Sequence, residues 1–468
     1  MKQKNTDRST SDTGPIFVVG AGPSGLTAAH RLRREGQEVI VFDLLDRIGG
    51  QVHTHREAGY LMEDGATILP SAYKAVIKIV EEAGVADQLI SAGKIIGFCR
   101  DREIHNLNSD HLFRDGAKSK LISWPSKLAM VRFAIDNARI SKHLNYEDLS
   151  NAVLFDNMTP KQYCEKHLGL GGEVYEYIID STDRGVLGTR GDKTSLTELF
   201  FMINNILGST LYAFRDGYSR FVEAVAAPLD VRRNAKVQEI VETADGVRFT
   251  WVDSAGATHT EDGAGAIVTI RGDWVPDILP GYFDSYCDKF LRSLKYTKTI
   301  VMNTGVTKKP KGVVASVINC PRLVDEGLMG FTCEHNKAPG RAPEGKGLLC
   351  FLTMHEWAEE HFEDDDDTLR RLILISAEKI MPGISDTVDF TRIIRWGNIV
   401  VYSRPGIYRD LGEFMKKRPK NTRIQLGGTY FSSSDICTAV TSGERAVREL
   451  LPVVRAEAAS RRLSSKKA

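Results

Sequence analysis

A short apolar run that enters a glycine-rich turn constrains the fold of this chain more than any other feature. Residues 16–19 are β-branched or aromatic, and Gly20, Gly22 and Gly25 follow them at the spacing G-x-G-x-x-G. Small and apolar residues then recur at helical intervals as far as Leu32. The pattern predicts a strand, a tight turn and a helix. In such a unit the glycines permit the turn, a close backbone approach to a pyrophosphate, and tight packing of the helix on the strand.

The next predicted strand supports a nucleotide site at this turn. Residues 39–42 are apolar and end at Asp43, which lies about 20 residues after the glycines. A carboxylate at that position can accept hydrogen bonds from ribose hydroxyl groups. Pro23 and Ser24 open the predicted helix, whose first N–H groups can bind phosphate. The sequence therefore predicts a dinucleotide-binding unit. A glycine turn without a nucleotide is the alternative, and the motif alone does not distinguish FAD from NAD.

Composition and charge narrow the class of partner. The 468 residues are enough for two or three domains of about 150 residues each. Lys and Arg total 62 and Asp and Glu total 61, so no net charge attracts nucleic acid. Seven scattered cysteines predict reduced thiols and a cytoplasmic location. The longest uncharged stretch, 199–214, has 16 residues, which is short of the ~20 of a transmembrane helix. We predict a small-molecule substrate, no nucleic acid and no transmembrane segment.

Two further motifs follow the first predicted unit. One is an R-x-G-G segment and the other is a D-x-G-A-type segment, and the matching residues are Arg47, Gly49, Gly50, Gly65, Ala66 and Thr67. Both segments resemble the flavin amine oxidase, protoporphyrinogen oxidase and phytoene desaturase superfamily. The resemblance implies FAD as the cofactor. We expect non-covalent binding, because the position of Cys437 differs from that of the cysteine with which some relatives tether the flavin.

The carboxyl-terminal part of the chain resembles the same family. The segment that contains Gly428 and Thr429, and the helical segment that follows at Ile436, resemble the closing strand and helix that run past the flavin ring. Val237 lies in a segment that resembles the return of the chain to the nucleotide domain. In the family the backbone of the residue that matches Val237 faces adenine. The resemblance therefore implies that distant parts of the chain meet at one cofactor.

The resemblance also implies the architecture. We expect an α/β fold with a GR2-type, Rossmann-like FAD-binding domain that is discontinuous in sequence and contains an inserted, mixed α/β substrate-binding domain. The FAD-binding domain would comprise residues 14–75, 210–275 and 420–455, and the substrate-binding domain residues 76–209 and 276–419. Residues 1–13 are predicted to be a disordered tail and residues 456–468 a polar tail. Helical patterns over 124–143, 159–168 and 194–207 would roof the cofactor.

Two residues are candidates for catalysis. Lys298 begins an apolar strand and resembles the lysine with which amine-oxidizing relatives bind a water near the flavin N5; a strand-edge lysine in solvent is the alternative. Asp435 takes the place of a tyrosine of the relatives' aromatic cage, and the other wall of that cage falls near Asn398. This departure argues against a simple amine oxidase. An acid at 435 can bind a cationic substrate or act as a general base, and a helix N-cap is the alternative.

The predicted function follows from the resemblance. We expect an FAD-dependent oxidoreductase, whether oxidase, dehydrogenase or desaturase, that abstracts a hydride from a C–N or C–C bond of an organic substrate, with lipophilic and cyclic compounds among the candidates. Oxygen or another acceptor would receive the electrons. A redox-neutral double-bond isomerase is one alternative, and a non-enzymatic, partner-binding member of the fold is another. No metal is predicted, because His355 and His361 are six residues apart and the helical zinc motif needs four.

Overall fold

The nucleotide-binding unit is built around a parallel sheet. The computed structural model describes residues 14–65, 68–169 and 171–465, and the tail predicted at 1–13 lies outside them. The sheet has five parallel strands in the spatial order Asp230–Arg232, Val39–Phe42, Ile16–Val19, Gly265–Val268 and Ile424–Leu426. Every residue of the strand Ile16–Val19 is buried. A run of apolar residues is typical of a parallel strand that is covered on both faces.

Two helices cover one face of this parallel sheet and a second sheet covers the other. The first helix, Pro23–Arg34, and the closing helix, Ile436–Ser465, pack on the side of Ile16 and Val18. On the opposite side, the rings of Phe17 and Phe42 each lie 4.6 Å from the ring of Phe249. Phe249 belongs to an antiparallel sheet of the strands Lys236–Glu242, Val247–Val252 and Thr258–Gly263. Aromatic pairs of this kind add about 0.5–1.5 kcal/mol each beyond their burial.

A seven-stranded mixed sheet forms the second large layer. Its spatial order is Val388–Trp396, Thr299–Val306, Gly347–Thr353, Leu328–Cys333, Val317–Asn319, Ile95–Arg100 and Glu103–Asn108. The pairing of Val317–Asn319 with Ile95–Arg100 is parallel, whereas the other pairings in this sheet are antiparallel. The helix Asp366–Ile380 buries its apolar side against this sheet. The side chain of Asp365 caps that helix by accepting a hydrogen bond from the Thr368 N–H at 2.8 Å.

Smaller elements join these layers. The strands Thr54–Glu57 and Tyr60–Glu63 form a hairpin, and Leu69–Pro70, Leu211–Phe214 and Leu89–Gly93 form a three-stranded sheet in that order. Longer helices outside the layers already described are Lys74–Glu82, Trp124–Ser141, Asp180–Leu187, Leu196–Ile206, Ser219–Ala226, Ser285–Ser293 and Ile407–Lys417. Shorter helices are Leu112–Lys118, Pro160–Tyr163, Gly171–Glu173, Val275–Ile278, Glu334–Lys337 and His355–Glu360. In the described part of the chain, no helix is both long and apolar enough to cross a membrane.

The chain leaves the antiparallel sheet at Gly263 and enters the parallel sheet at Gly265. Two boundaries differ from the sequence-based expectations. The closing helix continues to Ser465, through most of the segment that was expected to be a polar tail. The helix expected over 159–168 ends as an α-helix at Tyr163 and continues as a π-helix, Cys164–Leu168.

Candidate functional site

The glycine turn has two positions where the protein itself requires glycine. The strand Ile16–Val19 ends at Gly20, whose φ of 102° lies in a region that side chains rarely adopt. A Cβ on Gly25 would lie 1.8 Å from the carbonyl oxygen of Gly20. The first helix can therefore pack this closely on the turn only if residue 25 has no side chain. Both glycines are explained by the fold without any ligand.

Gly22 is different, because nothing in the protein explains its missing side chain. Its φ is −78°, which any residue can adopt, and a Cβ built there meets no atom within 4 Å. Gly22 stands at the start of the helix Pro23–Arg34, where backbone N–H groups lack partners within the helix. Gly50 faces it, since a Cβ on Gly50 would lie 3.4 Å from the Cα of Gly22. This gap, which a Cβ would fill, fits the pyrophosphate of a dinucleotide.

Asp43 connects the second strand to this turn. It follows the strand Val39–Phe42, is buried, and accepts hydrogen bonds from the N–H groups of Ala21 at 2.6 Å and Leu45 at 2.8 Å. Burial raises the pKa of Asp43, while those backbone bonds and Arg47 act in the opposite direction. The carbonyl of Asp43 accepts from the N–H of Ala235 at 2.8 Å. The strand that contains Val237 therefore begins beside Asp43, so the structure brings these two predicted residues together.

The R-x-G-G segment lies against the glycine turn. The guanidinium of Arg47 donates to the carbonyl of Gly50 at 2.7 Å, and the N–H of Gly49 donates to the carbonyl of Ala21 at 2.8 Å. Gly65 packs on the same segment, because a Cβ there would lie 2.3 Å from the carbonyl oxygen of Gln51. The other two residues predicted with Gly65, Ala66 and Thr67, lie outside the described residues.

The carboxyl-terminal segment meets the same turn. The N–H of Gly428 donates to the hydroxyl of Ser442 at 2.9 Å, and that hydroxyl lies 3.1 Å from the hydroxyl of Ser24. A Cβ on Gly443 would lie 2.3 Å from the carbonyl oxygen of Ser24, so the closing helix and the first helix are in close contact. Thr429 begins the short 3₁₀-helix Thr429–Phe431 directly after Gly428, and Ile436 begins the closing helix. The structure thus brings an amino-terminal and a carboxyl-terminal segment together at one site.

Asp435 makes the contacts of a helix cap. Its two carboxylate oxygens accept hydrogen bonds from the N–H of Thr438 at 2.8 Å and from the hydroxyl of Thr438 at 3.0 Å. It immediately precedes the closing helix. Burial raises the pKa of Asp435 to about 7, although the bonds from Thr438 act in the opposite direction. The residue therefore combines a cap with a carboxyl group that can change protonation near neutral pH.

Lys298 contacts the helix His355–Glu360 and the residues next to it. Its backbone N–H donates to Nδ1 of His355 at 3.0 Å, and its ammonium group lies 3.4 Å from a carboxylate oxygen of Glu359 and 5.3 Å from the ring centre of Phe362. Lys298 directly precedes the strand Thr299–Val306. Among the described residues, no hydrogen bond or ion pair joins Lys298 to a predicted cofactor-binding residue, and its role stays a prediction.

A histidine–aspartate pair next to Gly65 was not predicted. Nδ1 of His53 lies 2.5 Å from a carboxylate oxygen of Asp64, and the carbonyl of Asp64 accepts from the indole N–H of Trp396 at 2.5 Å. The second carboxylate oxygen of Asp64 is buried and has no partner among the described residues. Hairpin register is the signal that could have found the pair. Thr54 pairs with Glu63, so the residues just outside the hairpin face each other.

Gln51 joins the same wall of the site. Its side-chain amide donates to the carbonyl of Asn398 at 3.1 Å and to that of Ile399 at 2.9 Å. Asn398 and Ile399 follow Trp396 in the chain. The R-x-G-G segment and the end of the strand Val388–Trp396 therefore form one continuous surface, which we call the polar wall; its members are Gln51, His53, Asp64, Trp396 and Asn398.

Glu198 is a second buried acid that sequence reasoning missed. It lies in the helix Leu196–Ile206, is 0% exposed, and accepts hydrogen bonds from the hydroxyl of Ser433 at 2.5 Å and from the hydroxyl of Tyr408. Burial raises the pKa of Glu198 to about 8. At neutral pH the group is therefore mostly protonated. The sequence feature that could have predicted this buried acid is a single glutamate in a helix whose neighbouring residues are apolar or small.

A buried ion network fixes the hairpin that leads to the polar wall. Arg341 forms an ion pair with Glu63, the last hairpin residue, and donates to the carbonyl of Phe214 at 2.7 Å. Glu334 pairs with Lys337 at 2.6 Å and lies 3.9 Å from Arg341. Removing one member of a buried pair typically costs about 3–5 kcal/mol. The network therefore holds Asp64 and Gly65 firmly in place.

Comparison with known proteins identifies relatives along most of the chain. The sequence pattern of the family described as flavin containing amine oxidoreductase matches residues 23–451. The L-amino-acid oxidase of Siganus canaliculatus is 25% identical over 267 residues, which cover 53% of this chain and 47% of that protein. The mitochondrial protoporphyrinogen oxidase of Nicotiana tabacum is 24% identical over 237 residues, or 48% of this chain and 43% of that protein. The matches thus span less than half the length of these curated relatives.

Solved structures share the fold over nearly the whole chain. Cyclohexylamine oxidase from Brevibacterium oxydans superimposes with a TM-score of 0.76 at 14% identity, covering 95% of this chain and 99% of that one. Putrescine oxidase bound to putrescine superimposes with a TM-score of 0.74 at 17% identity, covering 94% of this chain and 99% of that one. The mixed α/β fold is therefore that of FAD-dependent amine oxidases. Together with the family pattern over residues 23–451, it identifies this chain as a member of the flavin containing amine oxidoreductase family, an enzyme with FAD as its cofactor.

Proposed function

We propose that this protein oxidizes an organic substrate by removing a hydride from a C–N or C–C bond, with oxygen or another acceptor as the final oxidant. The open backbone at Gly22 carries the proposal, because it is a gap at a helix N-terminus with no purpose inside the protein. The family pattern supports a flavin cofactor, whose pyrophosphate would occupy this gap. Bound FAD would supply the two-electron acceptor for the hydride.

We also propose the division into two domains that the sequence implied. The five-stranded parallel sheet supports it, because residues 14–75, 210–275 and 420–455 each contribute at least one strand. The seven-stranded sheet draws all its strands from residues 76–209 and 276–419. In this proposal the first set is a GR2-type FAD-binding domain and the second is the inserted substrate-binding domain.

The residues around the glycine turn have separate tasks in cofactor binding. The backbone at Gly22 and Gly50 would accommodate the pyrophosphate, while the helix N-terminus contributes unpaired N–H groups and positive dipole. Asp43 would accept from the ribose. Cys437 supports non-covalent binding, because the thiol is 1% exposed and burial raises its pKa. A thiol that stays protonated is a poor nucleophile.

The polar wall is the part of the site that we assign to the substrate side. Asp64 holds Nδ1 of His53, so the other ring nitrogen of His53 is left to exchange a proton, and 28% of the His53 side chain is exposed. We propose that the Asp64–His53 pair receives a proton from the substrate. Lys298 and Asp435 remain the two candidates taken from the family resemblance. Asp435 would bind a cationic group, and Lys298 would orient water.

Substrate screening tests this function. Purified holoenzyme is mixed under nitrogen with primary amines, cyclic amines, L-amino acids and a porphyrinogen, and loss of the flavin absorbance is followed. The proposal expects bleaching by at least one compound, and recovery of the absorbance with peroxide formation when air is admitted. Conversion of a substrate with neither net oxidation nor oxygen consumption would instead establish an isomerase. If no member of this panel bleaches the flavin, the assigned substrate classes are wrong.

A further inference from the structure

One helix exposes a continuous apolar stripe to solvent. On the helix Trp124–Ser141, the exposed fractions are 66% for Trp124, 70% for Leu128, 53% for Val131 and 52% for Ile135. Their spacing of four, three and four residues puts them on one face. The opposite face is buried against the protein through Phe133 and its neighbours. Large exposed apolar patches on a folded protein mark sites of interaction.

Basic residues border this stripe. Residues 114–142 contain seven basic and two acidic residues, while the whole chain has a net charge of +1; the basic ones are Arg114, Lys118, Lys120, Lys127, Arg132, Arg139 and Lys142. Asp136, one of the two acids, is buried and accepts from the hydroxyl of Tyr163 at 2.9 Å and from Arg139 at 3.0 Å. The other, Asp115, pairs with Arg114 at 2.9 Å. The face around the stripe is therefore strongly positive.

At the start of this helix an exposed apolar side chain lies next to basic ones. The ammonium group of Lys127 lies 4.6 Å from the ring centre of Trp124. A surface pocket of about 350 Å³ next to them is also lined by Lys118 and Lys120. Glu173 lies in the same pocket, where its carboxylate is occupied by Arg100 at 2.9 Å and the N–H of Ser123 at 2.8 Å. Trp beside Lys is typical of residues at the interface between lipid and water.

We propose that this face, defined by Trp124, Leu128, Val131, Ile135 and the surrounding basic residues, docks on an anionic phospholipid membrane. The helix would lie parallel to the bilayer, with the apolar stripe among the upper acyl chains and the basic groups against the lipid phosphates. A second copy of this chain fits less well. In a symmetric dimer the same positive surface would meet itself. The docking surface shares no residue with the glycine turn or the polar wall, so it is independent of the proposed function.

Vesicle binding tests the docking surface. The full-length holoenzyme is centrifuged with vesicles of phosphatidylcholine alone and of phosphatidylcholine mixed with phosphatidylserine, each at low and high salt. We expect binding to the mixed vesicles, weaker binding at high salt, and little binding to phosphatidylcholine alone. Replacing both Lys118 and Lys120 with Ser should weaken binding by about tenfold or more. Equal binding to both kinds of vesicle at both salt concentrations would overturn the role of the basic residues.

A matched pair of isoleucine variants tests the apolar stripe. Ile135→Gln should reduce vesicle binding about tenfold. Ile375→Gln is the control, because Ile375 is also 52% exposed and lies on a different helix, Asp366–Ile380. Equal loss in both variants, or loss in neither, would overturn the assignment of the surface. A dimer that Ile135→Gln dissociates, in a protein that ignores both kinds of vesicle, would show instead that the stripe is a self-association interface.

Discussion

The glycine turn and the polar wall lie next to each other but are built in different ways. The turn is made of backbone at Gly20, Gly22 and Gly25, and these glycines and Asp43 fall within a few tens of residues. The wall is made of side chains from separate elements, such as Asp64 and Trp396, which are 332 residues apart. A backbone requirement restricts the residue type to glycine and so leaves a pattern in the sequence. A contact between side chains restricts only a pair of positions that the fold brings together.

The largest effect is expected at Gly25, where the turn contacts the protein itself. Gly25→Val places atoms where the Gly20 carbonyl oxygen already lies 1.8 Å from the Cβ position. Overpacking against backbone cannot be relieved by rotating a side chain. We expect the variant to lose its folded state, as measured by circular dichroism and by the yield of soluble protein. A folded variant with the wild-type melting temperature would mean that the close contact between helix and turn is wrong.

The next largest effect is expected at Glu198, whose contacts, like those of the polar wall, are made between side chains of separate elements. The pKa of this carboxyl is 4.5 when unperturbed and about 8 when buried, so only the unfolded chain releases its proton between these pH values. The contribution of this one group to wild-type stability therefore falls as the pH rises from 4.5 to 8, by up to about 5 kcal/mol. Glu198→Gln removes this loss and keeps a hydrogen-bond acceptor for Ser433.

Urea unfolding across this pH range measures the difference. We expect the free energy of unfolding of the Gln variant to exceed that of the wild type by an amount that grows with pH and levels off above pH 8. Glu261→Gln is a suitable control, because Glu261 is partly exposed and is paired with Arg232. A difference between wild type and the Glu198 variant that does not change with pH would contradict the buried, protonated carboxyl.

A substitution at Gly22 distinguishes an effect on ligand binding from an effect on folding. Gly22→Val should leave the stability of the apoprotein within about 0.5 kcal/mol of wild type, because the side chain enters open space. It should weaken FAD binding at least about 100-fold, or roughly 2.7 kcal/mol, because it occupies the gap for the pyrophosphate. Thermal unfolding of the apoprotein and titration with FAD give the two values. Full FAD content in this variant would contradict the assignment of the gap at Gly22 to the pyrophosphate.

A smaller effect is expected for Lys298. Lys298→Met should change stability by less than about 0.5 kcal/mol, because in its ion pair with Glu359 the lysine is partly exposed and the glutamate is exposed to solvent. If Lys298 orients water at the reduced cofactor, reaction of the reduced enzyme with oxygen should slow about tenfold. Stopped-flow measurement with Lys295→Met as the neighbouring control decides this. Unchanged reoxidation would assign Lys298 to the ion pair alone.

The smallest effect is expected when the cap at Asp435 is kept and the carboxyl is protonated in both the folded and the unfolded chain, that is, below about pH 4. There Asp435→Asn retains an acceptor for the Thr438 N–H and should leave stability nearly unchanged, whereas Asp435→Ala should cost about 1 kcal/mol. As the pH rises towards 7 the Asn variant should become more stable than the wild type, because only the unfolded wild-type chain releases the Asp435 proton. Urea unfolding compares the two. The pH profile of kcat/KM distinguishes a role beyond capping, since the wild-type carboxyl has a pKa of about 7. Loss of an inflection near pH 7 in the Asn variant would show that this acid also acts on the substrate.

The sequence predicted those parts of the site that impose a local rule. A strand followed by G-x-G-x-x-G and an acid after the second strand describes one compact unit, and the structure forms it at Ile16–Val19, Pro23–Arg34 and Val39–Phe42. The resemblance to a family implied that the segment around Gly428 returns to this unit, and the Gly428 N–H does bond to Ser442, whose hydroxyl lies beside that of Ser24. Close backbone contacts, such as Gly443 on Ser24, tolerate few residue types and therefore leave a recognizable motif.

The remaining parts depend on contacts that no local pattern encodes. Glu198 and Ser433 are 235 residues apart in the sequence, and no pattern in the helix that contains Glu198 predicts that Ser433 is its partner. His53 and Asp64 are close in the sequence, and the register of the hairpin between them could have predicted their contact. The apolar stripe from Trp124 to Ile135 follows the same helical period as a buried face would. Period alone cannot state that the buried side of that helix is a different one, formed around Phe133.

The absorbance spectrum of the purified protein tests the central claim most directly. The site at the Gly22 gap should hold FAD without a covalent bond. Wild-type protein should therefore show flavin bands that move to the supernatant after acid precipitation. The Gly22→Val protein, purified in parallel, should be folded and colourless. A wild-type protein that is colourless and does not take up added FAD, or one whose flavin stays with the acid precipitate, would contradict this account.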